Sequence, residues 1–181
     1  MKRSTNKIIS LALGMAILVP LSFAQQTIKI GVINSGEVLQ RSVEGKSILA
    51  RLEERNKADQ TKLANMDEDI RQLENKLTTQ RLTLTNEVLM NMSSDLDKKR
   101  TDRKRFAEDS SRDFSELQAR LFDKLQSEVM PIIEQLGKEM NLEVIFDASA
   151  RQSGIIYFSP TVDLTAEVIK RYDASKAPTK K

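Results

Sequence analysis

The sequence predicts a mainly α-helical protein with a small β body, an α+β chain in which a long antiparallel helical hairpin is inserted between the strands of one small sheet. Residues 46–130 form a run of 85 with neither glycine nor proline, in a chain that is 30% charged, and only long helix tolerates such a run. Unbroken, a helix of that length would reach on the order of 125 Å, whereas a fold at its middle would halve the reach. Short runs rich in branched apolar residues lie on either side, at 27–33, 142–147 and 154–159, so the strands must meet across the insertion.

The first residues are cationic through Lys2, Arg3 and Lys7, an apolar run follows at 8–21, and Ser22-Phe23-Ala24 places small residues where a signal peptidase reads. Residues 1–24 are therefore expected to be a secretory signal peptide cleaved after Ala24. The apolar run, broken by Pro20, is shorter than the roughly 20 residues needed to span a bilayer, which argues against an uncleaved anchor. The chain has no cysteine, hence no disulfide framework and no thiol for lipid attachment. Its formal charge of +3 comes from 29 basic and 26 acidic residues; the three basic residues in the signal account for the excess, leaving 26 of each. A formally neutral mature chain holds any electrostatic partner through a local patch.

The body is expected at 25–45 together with 137–173. Ile28, Ile30 and Val32 alternate on one face of a first strand. Asn34-Ser35-Gly36 ends it, and Ser35 is the expected cap of a short helix carrying Val38 and Leu39. The arm is expected at 46–136. Leu49, Leu63, Ile70, Leu77 and Leu84 fall on one heptad line and Leu52, Met66 and Leu73 on the interleaved one, with Asn56, Asp59 and Gln80 at seam positions. At 90–94 the pattern resets, and Ser94-Asp95-Leu96-Asp97 has capping-box-like spacing near the midpoint of the arm, so the tip is expected there. The second arm carries Phe114, Leu117, Leu121, Leu125, Val129, Ile132 and Leu136, with Pro131 a candidate kink. Two further strands are expected, one with Val144 and Phe146, one with Ile156 and Phe158. Asp163 then caps a last helix with Leu164, Val168, Ile169 and Tyr172 inside, and 174–181 is a polar tail. A body of about 60 residues buries a marginal core, and three short strands leave open edges, so sheets completing one another between chains is the economical arrangement.

Ser42-Val43-Glu44-Gly45-Lys46, Leu142-Glu143-Val144-Ile145-Phe146-Asp147, Tyr157 and Asp163-Leu164-Thr165-Ala166-Glu167-Val168-Ile169-Lys170, in this order around a hairpin of this size, resemble the Skp/OmpH family of periplasmic chaperones. The resemblance implies a homotrimer whose small sheets complete a β-barrel, with helical hairpins projecting from it and unfolded outer-membrane proteins held between them without nucleotide. It makes Ile28, Ile30, Val32, Val144, Phe146, Ile156 and Phe158 the oligomerisation body. Members are often strongly basic, with a lipopolysaccharide-binding cluster proposed for some; this feature does not carry over residue by residue to a formally neutral mature chain, and the nearest candidate is Lys98, Lys99, Arg100, Arg103, Lys104 and Arg105.

A holding chaperone needs apolar surface too thin to collapse on itself. The candidates for client binding are Met66, Leu73, Leu77, Leu84, Met90, Met92 and Leu96, the methionines because a flexible thioether adapts to varied partners. The plainer reading is that such a stripe is a packing seam between the arms, and that the basic cluster is a solvated face beside acids. Anionic lipid headgroups are the other partner considered for that cluster. Nucleic acid is disfavoured, with 4% aromatic residues and no recognisable binding module.

No enzyme and no cofactor are expected, since histidine, cysteine, tryptophan, a phosphate-binding glycine loop and a nucleophile elbow are all lacking. Asp67-Glu68-Asp69 is no cation site, because consecutive helical residues point around the helix. Asp147, at a strand end, is a turn or capping residue. The competing function is that of a structural or tethering coiled-coil protein of the cell envelope.

Overall fold

A computed structural model of the chain describes residues 28–149 and 153–177. The expected signal peptide at 1–24 and the end of the polar tail lie outside the described residues. The elements run β1 (Ile30–Ile33), α1 (Ser35–Arg41), α2 (Val43–Thr79), α3 (Asn86–Glu139), β2 (Val144–Asp147), a 3₁₀ turn (Pro160–Val162) and α4 (Thr165–Lys176). Residues 174–176, placed in the tail by the sequence, complete α4.

β1 and β2 pair in parallel, Ile30 opposite Val144 through Ile33 opposite Asp147. Parallel strands require a long crossover, and here the crossover is the entire helical hairpin. On its other side β1 meets the end of the 3₁₀ turn, where the Leu164 amide donates to the Val32 carbonyl at 2.8 Å. With a neighbour on each side, β1 is central. Gly31, Val32 and Ile33 are buried in succession, so the expected alternation fails and Ile28 and Ile30 stand exposed. Alternation marks a strand with one wet face, and the second half of β1 has none.

The third expected strand is absent: residues 154–159 take no regular structure, and Ile156 is fully exposed. The positions beside β1 are already taken by β2 and Asp163, so an isolated chain offers this segment no place next to β1.

Asn34, not Ser35, caps α1, its carboxamide oxygen accepting from the Glu37 amide at 3.0 Å. Ser35 instead joins Asp147: the Asp147 carboxylate accepts from the Ser35 amide at 3.1 Å, the Ser35 hydroxyl at 2.6 Å and the Ser149 amide at 2.9 Å. Those bonds outweigh the cost of burial and hold the Asp147 carboxyl below its ordinary range. At the elbow between α1 and α2, the buried Ser42 hydroxyl accepts from the Gly45 amide at 3.1 Å, and Asp173 of α4 accepts from the Val43 amide at 2.9 Å. A Cβ on Gly45 would stand 2.1 Å from the Leu39 carbonyl oxygen, so only glycine allows α1 to fold back this closely.

The helices reverse at residues 80–85, not at 90–94. Gln80 ends α2, and the Thr85 hydroxyl accepts from the Val88 amide to start α3. Ser94 lies inside α3, so its capping pattern sits on a helix already begun; the spacing was local and the choice of turn was made by the pairing of the two helices. The arms are unequal, 37 residues in α2 against 54 in α3, because α3 continues past the elbow into the body and runs through Pro131. It closes with a Schellman motif: the Leu142 amide donates to the Gly137 carbonyl and the Asn141 amide to that of Lys138, with Asn141 left-handed at φ 52°.

The core lies where the body meets the arm's base. Ile33, Val38, Ile48, Leu52, Leu121, Leu125, Val129, Leu136, Leu164, Val168 and Tyr172 are buried together. The cap position of α4 falls to Leu164, which offers no side-chain bond, and not to the expected Asp163; the Asp163 carboxylate, one residue earlier, accepts from the Thr165 amide at 2.9 Å. The Tyr172 hydroxyl donates to Glu128 at 2.6 Å, and Lys176 reaches the same carboxylate at 2.8 Å, tying α4 to α3.

Candidate binding surface of the helical arm

Cross-arm pairs record the antiparallel register of α2 and α3. Near the base, Lys124 lies 3.6 Å from Glu44 and Arg55 lies 3.9 Å from Asp113; farther out, the Lys62 ammonium sits 4.2 Å from the centre of the Phe106 ring. In the outer half, Arg103 grips Asp67 with two bonds of 2.8 and 3.0 Å, Lys99 reaches Asp69 at 3.0 Å and Arg100 reaches Glu74 at 2.5 Å. The Asp67 carboxyl is held below its usual range by the guanidinium bonded to it. All three acids of the Asp67-Glu68-Asp69 run are spent on ion pairs, Glu68 with Arg71 on its own helix, and among the described residues no cluster of three or more ligating side chains is placed to hold a metal.

Apolar burial thins along the arm. Ile48, Leu52, Leu121 and Leu125 are buried at the base, whereas Leu63, Met66, Ile70, Leu73 and Leu77 are only half-buried. Of the expected seam polar residues, Asp59 lies in the seam and pairs with Arg55 at 2.7 Å, but Asn56 is exposed and Gln80 belongs to the turn. The Ser110 hydroxyl is buried in α3 without a hydrogen-bond partner.

The expected client-binding residues are not one surface. Met66, Leu73, Leu77, Leu84 and Met92 are half-buried, Met90 is 74% exposed, and Leu96 is 9% exposed. Leu82, at 98%, and Val88, at 40%, were missed. Placing the turn at 90–94 made them part of a continuous helix; the signal available was the low charge of the stretch around Leu82-Thr83-Leu84-Thr85.

The basic cluster is divided by the register. Lys99, Arg100 and Arg103 face acids of α2 and Lys104 lies 3.9 Å from Glu108, while Lys98 and Arg105 have no ion-pair partner among the described residues.

In the body, Ile28, Ile30, Val144, Phe146, Ile156 and Tyr157 are exposed, Phe158 is half-buried and Val32 is buried. The registers place Ile30 beside Val144 and Val32 beside Phe146, so the exposed strand residues share one sheet face. The other face carries Gly31 and Ile145 toward Leu142 and Leu164. A cleft of about 510 Å³ opens between α1, α3 and the strands, with Phe122, Met130 and Ile133 along one wall.

No described helix is long and apolar enough to cross a membrane. The family model described as outer membrane protein (OmpH-like) matches residues 29–172. The chain is 24% identical over 160 residues to the chaperone protein Skp of Yersinia enterocolitica, covering 88% of this chain and 94% of that protein. Its fold is similar to that of an OmpH-like protein of Caulobacter crescentus CB15, with a TM-score of 0.72 at 17% identity over 82% of this chain and 86% of that one. A family match spanning the strands, the hairpin and α4, carried on the same fold, shows that this chain belongs to the Skp/OmpH family of chaperones.

Proposed function

We propose that this protein is an ATP-independent periplasmic holdase that binds unfolded outer-membrane proteins and prevents their aggregation, acting as a homotrimer whose sheets close into a β-barrel. The observation that carries the reading is the half-buried apolar seam of the outer arm, on a chain of this chaperone family. A rigid structural rod would bury its seam; a surface offering many weak apolar contacts suits clients that share no fold. Met66, Leu73, Leu77, Leu84, Met90 and Met92 supply such contacts directly, and Leu96 supports them from inside the seam. The exposed face formed by Ile28, Ile30, Val144 and Phe146, together with Ile156 and Phe158, supports assembly between copies. Of the basic cluster, Lys98 and Arg105 are the cations left without an ion-pair partner among the described residues and so available to anionic headgroups.

The test is dilution of a urea-unfolded outer-membrane barrel protein into buffer with purified mature protein and no nucleotide. Light scattering is expected to fall as the protein is added, and mass measurement is expected to give three copies alone and three copies plus client when mixed. Undiminished scattering would sink the holdase reading. The cross-arm ion pairs favour the alternative of a stiff envelope tether, which predicts one dominant partner in a pull-down and no effect on scattering.

A further inference from the structure

Among the described residues between Leu52 and Leu121, the large apolar side chains that stand exposed are Leu82, Val88 and Met90. All three lie in or just after the turn that joins α2 to α3. The same region is nearly free of charge: residues 77–94 contain Arg81 and Glu87 and no other charged side chain, against 30% charged over the whole chain. The two cancel, so the end of the arm is neutral and apolar while its shaft is laced with ions.

Val88 and Met90 are two positions apart on α3 and therefore project to opposite sides of it. With Leu82 in the turn, the tip is an apolar knob and not a single docking face. A rigid partner helix or a second arm would need one face. An extended, irregular chain can drape over a knob from any direction.

The charge pattern also separates two occupants. An anionic lipid surface would be met by cations at the tip, yet the basic cluster begins at Lys98, and three of its members face acids of α2. A strand of a membrane β-barrel alternates apolar with polar residues over about ten positions, so its apolar side chains can meet Leu82, Val88 and Met90 while its polar ones meet the uncharged threonines, asparagines and serines of residues 77–94.

We infer that the tip, through Leu82, Val88 and Met90, is the capture site at which uncharged, alternating segments of an unfolded barrel protein first engage the arm. This rests on the holdase reading and adds that capture begins at the tip, with the half-buried seam engaged afterwards. Leu82 and Met90 are 98% and 74% exposed, and Val88→Thr keeps the branched shape of a side chain that is 40% exposed, so these replacements are chosen to spare the packing of the hairpin.

The experiment compares the mature protein with a Leu82→Gln, Val88→Thr, Met90→Gln variant. Stopped-flow fluorescence follows binding of a urea-unfolded outer-membrane barrel protein, light scattering follows its aggregation, and circular dichroism follows thermal unfolding of each chaperone. The variant is expected to unfold at the same temperature and to capture client roughly tenfold more slowly, the scale of partial burial of three apolar side chains. Equal capture by the two proteins overturns the tip assignment and leaves the holdase standing. Failure of the unaltered protein to suppress scattering removes the holdase reading and this inference together. Normal capture by the variant with loss of co-flotation on phosphatidylcholine vesicles would assign the tip to lipid and overturn the proposal.

Discussion

Glu128 joins three elements of charge and packing in one carboxylate. Lys176 and the buried Tyr172 hydroxyl bond to it, with Lys124 beyond at 4.0 Å. Lys176 foremost, then Tyr172, holds the Glu128 carboxyl below its usual range, while burial and the carboxylate itself push the Tyr172 hydroxyl up. A carboxylate depressed in the folded state stabilises the fold above its unfolded pKa, and that contribution is lost as pH falls through the folded value. Glu128→Gln is therefore expected to lower the thermal midpoint near neutral pH, at a cost of about 1–2 kcal/mol, and to flatten its fall between about pH 5 and pH 3. Circular dichroism melts across that range check it; parallel slopes for the two proteins would remove Glu128 from the account. Tyr172 was legible as an inward residue of α4 from the spacing of Leu164, Val168 and Ile169. Its partner on α3, forty-four positions earlier, was not, because helical periodicity reports which way a residue faces and nothing about what it meets.

At the scale of the element, the outer hairpin combines a thin apolar seam with a ladder of ion pairs. Each exposed pair is weak and screened by salt, but three on one stretch act where burial is least able to hold the helices together. Asp67→Arg is expected to speed amide exchange across the outer arm while leaving the base unchanged, and Asp67→Arg with Arg103→Asp is expected to restore much of the protection. Raising salt should reproduce the single variant's effect in the unaltered protein. No recovery in the double variant would mean that the apolar seam alone sets the opening. The sequence showed two long helices and a reversal; it misplaced the reversal by about ten residues because capping signals recur inside helices and are used only where the partner helix ends. The low-charge stretch at 77–94 contains both the expected and the observed turn. Moving the turn to 80–85 is what turns Leu82 and Val88 outward.

For the whole molecule, the sheet has two strands among the described residues, one of its faces exposes Ile30, Val144 and Phe146, and residues 154–159 take no regular structure, the surfaces on which the proposed assembly between copies rests. Ile30→Asp changes a side chain exposed in the isolated chain, so folding of the protomer should survive while an apolar contact between copies is lost. Sedimentation is expected to show monomer in place of the oligomer; an unchanged oligomer would count against a shared sheet.

By itself the sequence determined the long helical insertion, the two strands that flank it, and the last helix with its inward face. These follow from chain stiffness, side-chain periodicity and composition, which are local. The turn, the unequal arms, the parallel register of β1 with β2, the irregular 154–159 segment and the pairing of the basic cluster with Asp67, Asp69 and Glu74 were decided only in the tertiary structure. Each depends on which distant surfaces are close enough to compete for the same neighbour, and one-dimensional spacing carries no record of that.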